Sequence, residues 1–237
     1  MLTSLVQSLL SGEAPGLYLI VELFSLIFIA VCCLPIHESA HAWMADRLGD
    51  PTGRLMGRIT LNPMRHLDLL GSLMILLFGF GYAKPVPVNI NNFPAKKRKQ
   101  YFALTALAGP LSNLLLAVIF SFLSHVFDVL LVVSGGATIV LYVAGVFFSV
   151  ASMVNVSLAV FNLIPVPPLD GSRIIMVVLP DHIYNKLLQY ERYLVYGLFI
   201  LIFLLNRIGF SPISILSGYV SDGIDWLTKL PFLHWLS

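Results

Sequence analysis

Charge is scarce in this chain of 237 residues: Asp, Glu, Lys and Arg together make up 11%, where a soluble domain carries about a quarter. Hydrophobic residues make up 58%, and the mean hydropathy is +0.88. A water-soluble globule is excluded, because that much apolar surface has to face lipid. Cysteine is nearly missing as well. Cys32 and Cys33 stand side by side in an apolar run; neighbouring cysteines rarely bridge, so they read as small buried thiols and not as a disulfide framework. No Lys or Arg precedes Arg47, so the basic start of a cleavable signal peptide is lacking and insertion is expected to begin with the first hydrophobic helix. Internal repeats, low-complexity tracts and flexible linkers are absent too. With a net charge of +2, no nucleic-acid partner is expected, and Lys96-Lys97-Arg98-Lys99 reads as a topology signal at the lipid surface.

What is present is long apolar runs. They predict an all-α polytopic membrane protein with about four transmembrane helices, near 17–43, 101–124, 137–163 and 190–206. Basic residues are unevenly placed. Residues 47–99 hold nine: Arg47, Arg54, Arg58, Arg65, Lys84, Lys96, Lys97, Arg98 and Lys99. Residues 100–172 hold none, and Arg173, Lys186 and Arg192 follow. The positive-inside rule therefore places 47–99 and 173–192 in the cytoplasm. A shorter apolar stretch, 69–83, has basic residues on both sides, so a re-entrant or interfacial segment is expected there in place of a crossing. The tail beyond Asn206 mixes apolar residues with Asp222, Asp225, Trp226, Lys229 and Trp235, as an interfacial helix would. One membrane domain spans 1–237, with a catalytic core at about 17–180 and a C-terminal helix and tail at 181–237.

The chemistry concentrates at Pro35-Ile36-His37-Glu38-Ser39-Ala40-His41, which closes the first apolar run. Positions i and i+4 share a helix face, so His37 and His41 can grip one metal ion. Glu38 lies beside that face, where a carboxylate can take a proton from water. Zinc suits imidazole and carboxylate donors, and a hydrolytic site keeps one position open. Ionisable groups at a membrane helix end are rare without a function. A third ligand is needed. Glu22 lies too far along the helix, about 22 Å away at 1.5 Å per residue, and Asp128 falls on the opposite side of the membrane. His66 and Asp68 remain open. The third expected helix delivers Asn162-Leu163-Ile164-Pro165-Val166-Pro167-Pro168-Leu169-Asp170-Gly171 to the same side as the histidines. Its prolines stop the helix and its glycine permits a turn, so Asp170 is favoured.

The pairing of His37-Glu38-Ser39-Ala40-His41 with residues 162–171 resembles the site-2 proteases, intramembrane zinc metalloproteases. Leu48-Gly49-Asp50-Pro51, Arg58-Ile59-Thr60-Leu61-Asn62-Pro63, Lys84-Pro85-Val86-Pro87-Val88-Asn89 and Ala108-Gly109-Pro110-Leu111-Ser112-Asn113 are similar to the compact prokaryotic branch. The resemblance covers about residues 20–180. It implies that His37, His41 and Asp170 bind one zinc ion and that Glu38 is the catalytic acid and base. It implies too that Asn162 contacts substrate and that transmembrane segments of membrane proteins are cut. Family members with soluble peptide-binding insertions differ, since no such insertion fits here. The expected location is the cytoplasmic membrane, with the active site near its cytoplasmic face.

Two further expectations come from the residues themselves. In 84–89, Pro85 and Pro87 remove backbone donors from one side of an extended segment, leaving Val86 and Val88 on the other. This small β element either pairs with 58–61 or holds an unwound substrate by strand addition. Gly109-Pro110 would kink the second helix or allow close packing, packing being the commoner reason. The rival functions are a metal transporter, which would usually show two related halves, and an inactive scaffold, which would tolerate loss of Glu38.

Overall fold

The structure, a computed structural model, describes residues 21, 24, 25, 27–68, 84–136 and 138–232. Among these the fold is helical, without a strand. A π-helical turn at Ile29–Cys33 leads into α1 (Leu34–Leu48). A short α2 (Thr52–Leu55) follows, then α3 (Arg98–Val133) and α4 (Ile139–Asn162). Beyond them come α5 (Asp170–Ile175), α6 (Asp181–Gln189), α7 (Glu191–Arg207) and α8 (Pro212–Lys229).

Two of these helices are long and apolar enough to cross a membrane, at 95–133 and 139–162, and α6 with α7, bent by 72°, makes a third if the pair is one span. Leu115 and Met153, at mid-helix, are each 62% exposed, a surface that lipid covers without cost. Part of the first expected span and all of the expected re-entrant segment 69–83 lie outside the described residues. The expected interfacial tail differs from what is seen. α8 packs lengthwise, with Ile213, Val220 and Ile224 against Ala117, Val156 and Val160 of α3 and α4. Its polar groups find partners on α3: Thr228 Oγ1 lies 2.7 Å from Ser121 Oγ, and Asp225 Oδ1 lies 3.1 Å from His125 Nε2. One charge that looks interfacial in the sequence, Asp225, thus lies beside a histidine of the bundle.

α3 and α4 run antiparallel and close together because small and hydroxyl residues line their contact. Ser152 donates to the Ala117 carbonyl at 2.9 Å, and Ser124 to that of Gly145 at 3.0 Å. α1 packs on α3. It ends where Gly49 takes φ 111°, with Asp50 N bonded to Ala45 O and Gly49 N to Asp46 O. A left-handed residue there suits glycine and closes the last orphan carbonyls.

The next residue ties this helix end to 84–92. Asp50 is fully buried. Its carboxylate accepts from Thr52 Oγ1 at 2.5 Å, Asn92 Nδ2 at 2.6 Å and the Asn89 amide at 2.7 Å. Burial alone would raise this carboxyl, but the hydrogen bonds from Thr52, Asn92 and Asn89 outweigh it and hold the group below its ordinary value of 3.8. Its stabilisation is therefore complete above the unfolded value and is lost as pH falls through the lower folded one. Asp50→Asn puts an amide N–H where the carboxylate accepted, and should cost about 1–3 kcal/mol. Thermal melting in detergent checks this: the variant should melt lower at pH 7, and the gap should close on acidification below the folded pKa. Equal melting at pH 7 would remove Asp50 as a staple.

The segment 84–89 corrects the expected β element. Its two ends are pinned, Lys84 N to His66 O at 2.6 Å and Asn89 N to Asp50. The guanidinium of buried Arg58 donates to the carbonyls of Lys84, Pro85 and Arg65. A side chain, not a neighbouring strand at 58–61, takes these acceptors. The amides of Val86 and Val88 are paired with no described residue.

Candidate metal centre

α1 carries His37 and His41 one turn apart, and α5 begins at Asp170. His41 Nε2 lies 3.1 Å from His37 Nε2 and 3.2 Å from Asp170 Oδ2, and His37 Nε2 lies 3.3 Å from the same oxygen. All three residues are buried, with 4–7% of their surface exposed. They form a group able to hold a metal.

The donor set fits zinc. Bonds of about 2.0–2.1 Å in a tetrahedron place donor atoms about 3.3 Å apart, close to the observed triangle. Protonation fits too. His41 Nδ1 lies 2.8 Å from the Thr105 carbonyl, which can only accept. That nitrogen therefore carries the proton, and Nε2 presents its lone pair to the centre. A lone pair, a second imidazole nitrogen and a carboxylate oxygen this close suit a cation among them.

Two glycines make the approach possible. A Cβ at Gly109 of α3 would stand 2.3 Å from His41 Nε2 and 2.6 Å from His37 Cε1. α3 can pass the imidazoles only because this side chain is missing. Close packing is the role expected of Gly109; what packs against it is the donor pair, and the Gly-Pro step inside an apolar run is its signal in the sequence. A Cβ at Gly171 would stand 2.2 Å from the Leu163 carbonyl. Gly171 serves close packing inside α5, not the turn expected of it, and so holds Asp170 against the end of α4.

Glu38, half-buried, shares a cavity of about 370 Å³ with the three donors, Asn162 and Val86. Asn162 Nδ2 donates to the Leu158 carbonyl at 3.0 Å. Val88 lines a neighbouring cavity instead. Of the alternative ligands, His66 is fully buried but directs Nε2 to the Thr60 carbonyl at 2.9 Å, and Asp68 is outside the donor group. Ser39, between the two histidines, donates to the same carbonyl at 2.5 Å. The motif thus anchors the 58–66 loop with one face while another face holds the donors.

The profile of peptidase family M50 matches residues 24–140 and 125–205. The chain is 42% identical over 170 residues to a Bacillus subtilis protein named "Putative zinc metalloprotease YwhC", covering 71% of this chain and 75% of that one. It is 30% identical over 143 residues to "Putative zinc metalloprotease Rip2" of Mycolicibacterium smegmatis (58% of this chain, 51% of that one). With "Putative zinc metalloprotease MJ0611" of Methanocaldococcus jannaschii it shares 34% over 110 residues (45% and 49%). The chain thus spans about half the length of these last two relatives. No solved structure matches it. The family match runs through α1, α3 and α5 alike, and the chain belongs to peptidase family M50, as a zinc metallopeptidase of the membrane.

Proposed function

We propose that the protein hydrolyses peptide bonds in or near transmembrane segments of membrane proteins, with one zinc ion held by His37 Nε2, His41 Nε2 and Asp170 Oδ2. The convergence of these three buried donors on one cavity carries the proposal. When bound, zinc supplies a Lewis acid that acidifies water and polarises the scissile carbonyl. Glu38 takes the water proton and passes it to the leaving amine, the dual role of a carboxylate beside the reacting atoms. The Thr105 carbonyl holds His41 in the tautomer that offers Nε2.

Substrate is held by backbone. The amides of Val86 and Val88 offer two donors on one side of 84–89, with prolines between and before them, and pair with an unwound substrate strand. Asn162 lines the cavity with its Nδ2 engaged by Leu158, so its Oδ1 accepts from a substrate amide. Four crossings follow from the apolar runs: one ending in α1, then α3, α4 and the bent α6–α7 pair. The basic residues of 47–99 and 173–192 place α2, the 84–89 segment and the metal centre toward the cytoplasmic face of the cell membrane.

Asp170→Ala tests the ligand set. It removes one of three donors, and elemental analysis of the purified variant should show less than a tenth of the wild-type zinc, with cleavage of a helical membrane reporter lost in parallel. Full zinc in that variant would falsify the assignment.

A further inference from the structure

A second cavity, of about 420 Å³, adjoins that of the active site. Pro168, Arg173 and Glu191 line both. The segment 85–90 also contributes to both. Pro85 and Val86 line the first, Val88 and Ile90 the second. α5 does the same, with Asp170 in the first, and Ser172 and then Met176, just past its end, in the second.

This continuity sets a register. Side chains alternate along extended chain, and residues on one side recur about every 6.6 Å. A substrate strand laid on the Val86 and Val88 amides carries its backbone past the metal donors and over the shared threshold. A side chain two positions along from the residue beside Val86 then enters the second cavity. Val88, Ile90, Phe102, Met176 and Leu188 give that cavity an apolar wall beside its polar lining. Of its charges, Asp181, exposed, pairs with Lys99, the Arg173 guanidinium lies 5.5 Å over the Phe102 ring, and Glu191 stands at the threshold shared with the first cavity.

We infer that this second cavity is a specificity subsite for one large apolar or aromatic substrate side chain, two residues from the residue lying beside Val86; the inference rests on the proteolytic function proposed above. Burying such a side chain instead of alanine raises kcat/KM by about ten- to a hundredfold where the contact persists in the transition state.

The test uses the full-length protein in bilayer nanodiscs. Mass spectrometry first locates the bond cut in a membrane reporter. Alanine, phenylalanine and aspartate are then placed in turn at each of the four positions on either side of it. Wild type should show one position with the order Phe over Ala over Asp, spread at least tenfold. Met176→Trp narrows the cavity and should bring the Phe-to-Ala ratio there to about one or below. Met176→Ala widens it and should move the preference to tryptophan. Zinc content, measured in the same samples, reports an intact fold, and the two variants act in opposite directions, so either one suffices. Wild type that cuts reporters with no such position, or ratios unmoved in a zinc-loaded variant, overturn the subsite alone. Wild type that cuts no reporter overturns the hydrolytic function and the subsite with it.

Discussion

Replacing Gly109 by alanine is expected to strip the protein of zinc and of proteolysis while leaving its helices formed. Two effects compete at this position and have opposite signs. In a helix interior alanine is favoured over glycine by about 1 kcal/mol, so local propensity predicts a slightly more stable α3. Sterics predict the reverse at the metal centre. The added Cβ would stand 2.3 Å from His41 Nε2, 2.5 Å from His41 Cε1 and 2.6 Å from His37 Cε1, where ordinary carbon contacts need about 3.5–4.0 Å. Something has to move by about 1 Å. The backbone of α3 is held by its packing on α4, so the imidazoles yield. A ligand set tolerates only about 0.2 Å in its bond lengths, and steric displacement of both histidines exceeds that several times over. Zinc per chain should fall below a tenth of wild type and reporter cleavage by at least about a hundredfold, as for disrupted ligand orientation. Circular dichroism should be unchanged. A zinc-loaded Gly109→Ala protein with normal turnover would show that α3 can retreat from the donors.

How much of this was legible beforehand depends on whether the signal is local. His37, Glu38 and His41 lie within five residues, and helical periodicity alone puts the histidines on one face. Asp170 needs topology: the charge asymmetry leads to the expectation that residues 162–171 reach the side of the histidines, and the structure brings Asp170 Oδ2 within 3.3 Å of both. Gly109 was visible only as a close approach. What approaches it is a long-range fact, set by the packing of α1 on α3, and no local pattern encodes it. The same limit explains Arg58. Its charge counts toward topology in the sequence, yet its buried guanidinium holds the carbonyls on both sides of 69–83. It also explains α8, where Asp225 reads as interfacial in the sequence and His125 of α3 lies beside it. In the 84–89 segment the amides of Val86 and Val88 have no partner among the described residues, and the expected pairing with 58–61 is not seen because a side chain takes the acceptors.

Glu38→Gln is expected to separate metal binding from chemistry, which neither Asp170→Ala nor Gly109→Ala can do. Glu38 shares the cavity with the three donors but is not one of the group that converges. Glutamine keeps its size and one carbonyl oxygen, so packing and any hydrogen bond accepted there persist. What disappears is a group able to take up a proton at neutral pH and release it again. General acid and base catalysis contributes about 10²–10⁴ in rate, and in the proposed mechanism one carboxylate serves as both base and acid. Loss should therefore fall toward the upper end, at about 10³-fold or more in kcat, with KM little changed because the amides of Val86 and Val88, proposed to hold substrate, are untouched. Zinc per chain should match wild type within error. The decisive comparison is zinc content and initial reporter cleavage in the same preparation, for wild type, Glu38→Gln and Asp170→Ala together. Zinc-loaded Glu38→Gln cutting within threefold of wild type would move the proton-transfer role to another group. A Glu38→Gln protein that loses its zinc would instead make Glu38 a ligand, because glutamine conserves every property of the side chain except its charge and basicity.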